Sequence, residues 1–437
     1  MAIQAAPDAP LAGGGLEKTN VSALAIVTTL FFMWGFLTCL NDILVPHLKE
    51  LFDLNYAGVM LIQFAFFMSY FVFAFPSGKV IEWIGYKRSM VLGLLTMGAG
   101  ALLFLPAANL PSYPAFLTAL IVLAAGMTIL QVSANPYVAV LGPARTASSR
   151  LNLTQAFNAA ATMLAPLFGG VLILGGAFLS ADQKRLLSPV QLHAYRLQQA
   201  SSVKLPYLGL GLTLILLAAV IAMVKLPAIP GVERDIHSES HASIWKYRHL
   251  MLGALGIFAY VGAEVSIGSF LVNYMNQPDI GGLPLRTAAN YLPFYWGGAM
   301  TGRFIGSALL QKFRTGKMLS IAATIAFLLV VTTMLTSGHV AMWSALAIGL
   351  FNSIMFPSIF TLGIDGLGPL TSEGSGILVA AIVGGALIPE LQGRIADKIG
   401  IQHAFFIPAI CYLYILYYGV WGSRKKAASG TIPASAA

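Results

Sequence analysis

The chain has 437 residues, of which 57% are hydrophobic and only 9% are charged, and its mean hydropathy is +0.79. Soluble domains carry about 25% charged residues, so this composition excludes an ordinary soluble protein and predicts an integral membrane protein. A net charge of +9 would suggest nucleic-acid binding in a soluble protein. Here the basic residues fall in short loops between apolar runs, which indicates membrane topology and no nucleic-acid partner.

The uncharged runs predict twelve transmembrane helices, because a helix needs about 20 apolar residues to cross a bilayer and the alternating pattern of porin strands is absent. The run 89–144 is too long for one helix and divides at Ala108–Pro114, and the run 318–364 divides at Ser337–His339. Residues 1–20 lack the apolar stretch of a cleavable signal, so we expect the first span to stay in the membrane. The remaining predicted spans are 19–41, 54–78, 151–181, 205–224, 249–278, 287–310, 374–389 and 399–423.

The basic residues are concentrated in the loops on one side of these spans, so the positive-inside rule places both termini in the cytoplasm. We expect the membrane to be a bacterial inner membrane. Proline–glycine pairs in spans 5 and 11, Pro166/Gly170 and Pro389/Gly393, are spaced alike and favour a duplication. We therefore expect an all-α monomer of two pseudo-symmetric six-helix halves with a midplane site between them. The predicted divisions are a cytoplasmic N-terminal tail (1–20), an N-terminal half (21–226), a cytoplasmic linker (227–248), a C-terminal half (249–422) and a cytoplasmic tail (423–437).

Asp42 is the first charge in the apolar segment FFMWGFLTCLNDILVP at 31–46. A carboxylate inside a membrane span costs about 3 kcal/mol, so it persists where it faces the bundle interior, a cavity or a cation. Trp34 precedes Asp42 by two helical turns and Thr38 precedes it by one, so both lie on the same helix face, and Asn41 is the adjacent residue. We predict that Asp42, Asn41 and Thr38 hold the coupling ion and that Trp34 contacts substrate. The alternative is an acid satisfied at the outer end of the helix.

Amide side chains in spans 4 and 5 predict a substrate site, because amides supply the donors and acceptors that match the hydroxyls of a neutral sugar. A polar row can also simply join helices. In the other half, Glu264 lies among small residues and is expected either to bind substrate or to bond a neighbouring helix, while at least one of Tyr295 and Trp296 is expected to stack on the sugar. The predicted substrate contacts are Trp34, Gln131, Asn135, Gln155, Asn158, Glu264, Tyr295, Trp296 and Asn352.

Several motifs resemble a known family. GKVIEWIGYKR at 78–88, interpreted as a loop, is similar to the signature between helices 2 and 3 of the major facilitator superfamily. The segments 40–44, 134–143 and 150–158 resemble its fucose–galactose–hexuronide sugar symporter group, and ILQVSANPYV and YVGAEVSIGSF resemble the glucose/galactose transporter branch. The resemblance extends over residues 21–422 and implies the major facilitator fold and sugar transport.

The resemblance also implies roles for single residues. In the fucose:proton symporter of this group an aspartate and a glutamate carry proton coupling and sugar recognition. The aspartate matches Asp42, whereas the position of the glutamate is occupied by Gln131. The family's sugar contacts in helix 5 match Gln155 and Asn158. Because one protonatable group is missing, sodium is favoured over the proton as the coupling ion.

The residues and the resemblance together predict a cation-coupled symporter that carries neutral hexoses such as glucose, galactose or mannose across a lipid bilayer by alternating access. The alternatives are a fucose-type or N-acetylhexosamine:proton symporter and an uncoupled sugar uniporter. No Cys/His metal spacing, nucleophile–His pair or phosphate loop is present, so we expect no enzyme, no cofactor and no metal apart from Na⁺ at Asp42. Charged residues near the cytoplasmic ends are predicted to latch helices together, namely Glu82, Lys87, Arg88, Arg303 and Arg314.

Overall fold

The computed structural model describes residues 16–54, 56–109, 112–172, 179, 183–184, 186–227 and 243–424, and their side chains except at 41–43, 46, 56, 57, 60 and 166–172. The regular structure of this part of the chain is helical. The predicted N-terminal tail and the predicted linker lie mostly, and the predicted C-terminal tail almost wholly, outside the described residues.

The N-terminal half contains a helical stretch of 54 residues, α2 (Tyr56–Asn109), which consists of two helices that meet at Gly85. Gly85 interrupts it with φ 76° and ψ 168°, a conformation that glycine adopts without strain. The interpretation of segment 78–88 as a loop is therefore wrong, since helix continues on both sides of this one residue. The helices of this half are α1 (Val21–Leu51), α2 (Tyr56–Asn109), α3 (Tyr113–Val140), α4 (Ala147–Leu172), α5 (Pro189–Ser201) and α6 (Lys204–Met223).

The C-terminal half contains two spans that are each built from two helices in line. These spans combine α11 (Gly338–Asn352) with α12 (Met355–Ile364) and α13 (Thr371–Ala380) with α14 (Gly384–Ile399), and a 3₁₀ turn at Ala381–Val383 joins the latter pair. The helices are α7 (Arg248–Asn276), α8 (Leu285–Ala289), α9 (Leu292–Leu309), α10 (Thr315–Leu335), α11 (Gly338–Asn352), α12 (Met355–Ile364), α13 (Thr371–Ala380), α14 (Gly384–Ile399), α15 (Ile401–Ala404) and α16 (Phe406–Tyr417), which ends in a π-helical turn (Tyr418–Gly422).

Among the described residues, nine stretches are long and apolar enough to cross a membrane, and one of them, Leu61–Asn109, holds the two spans that meet at Gly85. Two further long helices, α4 and α9, are more polar because each turns polar side chains towards the other half. With these two the bundle has twelve spans, as the sequence predicts. The helix breaks predicted at Ala108–Pro114 and Ser337–His339 are also confirmed, because α2 ends at Asn109 and α11 begins at Gly338.

The first helix of each half begins, and the last helix of each half ends, at the same end of the bundle. We call this end the terminal face. At this face α1 begins at Val21, α6 ends at Met223, α7 begins at Arg248 and the last helical turn ends at Gly422. Because successive spans alternate in direction, the start of α4 and the end of α9 also lie at this face.

Hydrogen bonds join the two halves near the terminal face, and we call these contacts the terminal gate. On one side α4 meets α9 and α12: the Ser149 hydroxyl donates to the Ser307 carbonyl at 2.7 Å, and the Ser148 and Thr361 hydroxyls are hydrogen-bonded. On the other side the Ser375 hydroxyl of α13 donates to the Val132 carbonyl of α3 at 2.8 Å. The structure therefore shows the gate at the terminal face closed.

At the opposite face, Asp53 follows the end of α1. Its side chain binds one basic residue that precedes α5 and one that lies within α5. Its carboxylate lies 2.8 Å from Lys184 Nζ and 3.1 Å from Arg196 Nη2. Burial by itself would raise the pKa of Asp53, but the hydrogen bonds and charges of Lys184 and Arg196 outweigh it and hold the pKa below its ordinary value. Helix α5 is thereby fastened to the end of α1.

We expect Asp53→Asn to destabilise the protein slightly at pH 7, by less than about 1 kcal/mol, because the carboxylate is half exposed. Asparagine tolerates the positive φ of 50° at this position. Because the folded pKa is depressed, the stabilisation is present above the unfolded pKa of about 4 and is lost as the pH falls through the folded pKa. Thermal unfolding of both proteins from pH 7 to pH 3 measures this. A difference that stays constant down to pH 3 would contradict the assignment.

Candidate functional site

A polar cluster lies between α1, α2 and α3 in the N-terminal half. Gln131 Nε2 donates to the Tyr70 hydroxyl at 2.9 Å, and the Tyr70 hydroxyl contacts Met127 Sδ at 3.9 Å. The Thr38 hydroxyl approaches the same sulfur at 3.9 Å and also donates to the Trp34 carbonyl at 2.9 Å. Thr38 and Gln131, both predicted as site residues, are therefore brought together around Met127.

Asp42 lies on α1 one helical turn beyond Thr38. The side chains of Asp42 and Asn41 lie outside the described residues. The ion-coupling site at these two residues therefore stays a prediction, with Thr38 as its described neighbour.

The predicted contacts on α4 and α1 are involved in packing. Asn158 Nδ2 donates to the Phe31 carbonyl at 2.8 Å and joins α4 to α1. Trp34 is buried with its ring 4.2 Å from that of Phe31, so its face is packed rather than open. Gln155 is buried beside the other half of the protein. Asn135 is fully buried, and neither atom of its amide has a hydrogen-bond partner among the described residues.

The C-terminal half contains a continuous hydrogen-bonded network that crosses α7, α9, α11 and α16. The Tyr260 hydroxyl donates to Glu264 Oε1 at 2.7 Å, and the Tyr295 hydroxyl donates to the Glu264 carbonyl at 3.1 Å. Asn352 Nδ2 donates to the Tyr295 hydroxyl at 2.9 Å, while Asn352 Oδ1 accepts from the Tyr412 hydroxyl at 2.7 Å. The network therefore contains one carboxylate, one amide and three phenols.

Close helix packing positions this network. Gly349 lies against the carbonyl of Tyr295, where a Cβ atom would collide, so α11 and α9 approach closely enough for Asn352 to reach Tyr295. Trp296 lies beside Tyr295 with ring centroids 5.0 Å apart and is 39% exposed. The two residues of the predicted pair therefore differ in exposure, because Tyr295 is fully buried in the network while Trp296 is partly accessible.

Arg303 connects the two halves at the level of Glu264. Its Nη2 lies 3.9 Å from Glu264 Oε1, and both side chains are 13% exposed. Its Nη1 donates to the Gln155 carbonyl at 3.4 Å, and its own carbonyl accepts from Asn152 Nδ2 at 2.6 Å. Arg303 therefore lies deeper in the bundle than the other residues predicted as latches, and it contacts both a predicted substrate residue and the opposite half.

The remaining predicted latch residues lie near the terminal face. Glu82 Oε1 accepts from the Ser372 hydroxyl at 3.3 Å and joins α2 to α13 across the halves. Lys87 donates to the Ala222 carbonyl at 2.8 Å, which is a contact within the N-terminal half. Arg88 and Arg314 are exposed. Glu82 thus reaches across the terminal gate, whereas Lys87 fastens α2 to α6.

Sequence reasoning missed the tyrosines that complete both clusters. Tyr70, Tyr260 and Tyr412 each lie within an apolar span and away from its ends, where a phenol usually has a hydrogen-bond partner. That position was the available signal, because tyrosines that anchor a helix at the membrane surface lie near span ends. The partner of a buried tyrosine could not be identified from the sequence, since Tyr70 and Gln131 are 61 positions apart.

Comparisons with known proteins agree with this fold. The family model described as Major Facilitator Superfamily matches residues 24–389. A major facilitator superfamily transporter crystallised in the outward conformation superimposes with a TM-score of 0.84, at 35% identity, over 92% of this chain and 99% of that chain.

Two relatives that match nearly the whole chain are sugar transporters by name. The chain is 53% identical to the glucose/galactose transporter of Brucella abortus over 409 residues, which cover 94% of this chain and 96% of that protein. It is 35% identical to the L-fucose-proton symporter of Escherichia coli over 420 residues, which cover 94% and 95% of the two chains. The chain therefore belongs to the major facilitator superfamily, within the group that contains glucose/galactose transporters and L-fucose–proton symporters.

Proposed function

We propose that the protein is a cation-coupled symporter of neutral hexoses such as glucose or galactose. The observation that carries this proposal is the pair of clusters built around Gln131 and Asn352, in which amides and phenols predominate. Such groups donate and accept hydrogen bonds without charge, as the hydroxyls of a neutral sugar require. The relatives named glucose/galactose transporters support the same substrate class. No catalytic group is needed, because transport leaves the sugar unchanged.

The coupling ion is proposed to act at Asp42. The presence of Gln131 in place of the family's glutamate favours sodium, whereas the relatives named L-fucose-proton symporters favour the proton. Either ion neutralises the carboxylate, and sodium would in addition use the oxygens of Thr38 and Asn41. The two ions differ in one measurable respect, which is whether sugar binding responds to sodium at constant pH.

Transport is proposed to occur by alternating access between the two halves. If both termini are cytoplasmic, as the basic loops predict, the closed terminal gate makes this an outward-facing conformation. The similarity to a transporter crystallised in the outward conformation supports this proposal. The division into six-helix halves at the linker 227–248, the bacterial inner-membrane location and the monomeric state belong to the same proposal.

Binding of a sugar series to purified protein tests the substrate class. Calorimetric titration with glucose, galactose, mannose, fucose, N-acetylglucosamine and gluconate, with and without sodium and at two pH values, should rank the neutral hexoses first. Preference for fucose or N-acetylglucosamine would favour the alternative symporters. Preference for gluconate would overturn the proposal. Sodium-dependent affinity at constant pH would identify sodium as the ion, whereas pH dependence alone would identify the proton.

Gln131→Ala should weaken hexose binding by about 5- to 150-fold, because removing one partner leaves sugar hydroxyls and the Tyr70 hydroxyl unpaired at a cost of about 1–3 kcal/mol. Titration of the variant measures this effect. Gln311→Ala, which removes an amide from an exposed position beyond α9, serves as the control and should bind normally. Unchanged affinity in Gln131→Ala would assign Gln131 to helix packing with Tyr70.

A further inference from the structure

We infer that Arg303 is a positioning residue that couples the substrate site to the terminal gate by exchanging partners. Its two alternative partners are the Gln155 carbonyl in the opposite half and the Glu264 carboxylate in its own half. The inference rests on the proposed function in one respect, namely that the terminal gate opens during transport.

The guanidinium of Arg303 lies near three oxygens, but none of them is close enough for a strong charge-assisted hydrogen bond. Nη1 lies 3.4 Å from the Gln155 carbonyl, Nε lies 3.4 Å from the Ser353 carbonyl, and Nη2 lies 3.9 Å from Glu264 Oε1. Charge-assisted hydrogen bonds of arginine are usually about 2.7–2.9 Å long. The observed position is therefore intermediate, with room to approach any one partner more closely.

Only one of these three contacts crosses between the halves. Gln155 belongs to α4, whereas Ser353 and Glu264 belong to the same half as Arg303. The main chain at Arg303 adds a second crossing contact, because its carbonyl accepts from Asn152 Nδ2 at 2.6 Å. Separation of α4 from α9 would break both of these crossing contacts. The partners of Arg303 therefore depend on whether the terminal gate is closed or open.

Glu264 is placed to replace the lost contact. When α4 moves away, the buried guanidinium loses the Gln155 carbonyl, and an incompletely paired buried charge is costly. Glu264 stays within reach because it is on the same half, and its Oε1 is already held by the Tyr260 hydroxyl at 2.7 Å. Approach from 3.9 Å to hydrogen-bond distance compensates for the loss. The Glu264 carboxylate therefore lowers the free energy of the open gate relative to the closed gate.

Substrate occupancy is linked to the gate through the same carboxylate. A sugar hydroxyl that donates to Glu264 would compete with Arg303 for its oxygens. Linkage requires that bound sugar shifts the equilibrium between open and closed gate by the same factor by which opening the gate changes the affinity for sugar. A residue on α9 that does not touch the sugar thereby responds to it.

Cysteine labelling at the closed gate measures how often the gate opens. Cys39 and Cys411 are replaced by alanine, and a single cysteine is placed at Ser307, which is 5% exposed between α9 and α4. A maleimide can react there only after the halves separate, so the labelling rate follows the population of the open gate. Ser375→Cys provides a second reporter on the other side of the gate, where the serine is fully buried against α3.

Glu264→Gln should lower the labelling rate at both reporters by about fivefold or more, a coupling typical of linked sites. In an Arg303→Gln background the same change should alter the rate by less than about twofold, because the interacting partner is gone. Arg303→Lys, which keeps the charge but not the forked geometry, should likewise reduce the effect of Glu264→Gln to below about twofold. Glu390→Gln is the matched control, since it removes an exposed carboxylate paired with Arg394 at 3.0 Å, and it should leave the rate unchanged.

The inference is overturned if Glu264→Gln leaves labelling unchanged, or if it lowers labelling equally with and without Arg303. The second result would assign Glu264 an effect on packing alone. Labelling is measured without sugar and without an ion gradient. A protein that binds no hexose would refute the proposed function and still yield a clear answer on Arg303.

Discussion

Proteoliposomes that contain Asp42→Asn are expected to exchange hexose across the membrane but not to accumulate it. A cation gradient equivalent to 100 mV supplies about 2.3 kcal/mol per charge, enough for roughly 50-fold accumulation. The variant should reach only equal concentrations on both sides, because asparagine keeps the size and most hydrogen bonds of aspartate but needs no cation. Under the proposed mechanism, we expect an empty carrier with a bare carboxylate to resist closing, and this resistance would enforce coupling.

Counterflow and net uptake of labelled glucose, measured on the same vesicles, separate exchange from accumulation. Asp53→Asn is the matched control, since it removes an aspartate outside the spans and should accumulate hexose normally. If the ion strengthens sugar binding, sugar must strengthen ion binding equally, and Asp42→Asn should lose both effects. Accumulation with intact ion stimulation in Asp42→Asn would place the coupling site elsewhere, with Glu264 as the next residue to test.

Gly376→Val is expected to abolish the closed terminal gate and to reduce uptake at least tenfold, a loss of about 1.4 kcal/mol or more. A Cβ atom at Gly376 of α13 would lie 2.8 Å from the Ala74 carbonyl of α2, in the opposite half. The collision involves main chain, so α13 must move away from α2. Overpacking of this kind costs about 1–3 kcal/mol, and here the cost falls only on the state in which the two halves touch.

The accompanying measurement is maleimide labelling of Ser307→Cys, which should become faster in Gly376→Val. Gly209→Val in α6 is the control, because a Cβ atom there meets nothing within 4 Å. The control should transport and label like the parent protein. Normal uptake together with slow labelling in Gly376→Val would show that the contact between α2 and α13 does not hold the gate closed.

The spans were predictable from the sequence because charge and hydropathy act locally. Breaks at 108–114 and 337–339 followed from proline, serine and glycine between apolar runs, and both are confirmed. The segment 78–88 was misread because its charges suggest a loop, whereas only Gly85 leaves the helical conformation. The short helix α5 was not foreseen, since its 13 residues are mostly polar and too few to span a membrane.

The site was predictable only as a set of residue types. Gln131, Glu264 and Asn352 stood out because polar side chains in apolar spans need partners, but those partners come from helices distant in sequence. Tyr412, for example, binds Asn352 from 60 positions away. The position of Arg303 beside Glu264 could not be predicted from the sequence either. A basic residue near the end of a short span resembles a loop charge, and only the packing of α9 against α4 shows that it lies inside the bundle.

Uptake of labelled glucose by the unmodified protein in proteoliposomes tests the central claim most directly. An inward sodium gradient and an inward proton gradient are imposed separately, each with and without an ionophore that dissipates it. The account predicts that one of the two gradients drives glucose above its external concentration and that the matching ionophore abolishes the accumulation. Glucose that only equilibrates under both gradients, or that does not enter at all, would contradict cation-coupled hexose symport.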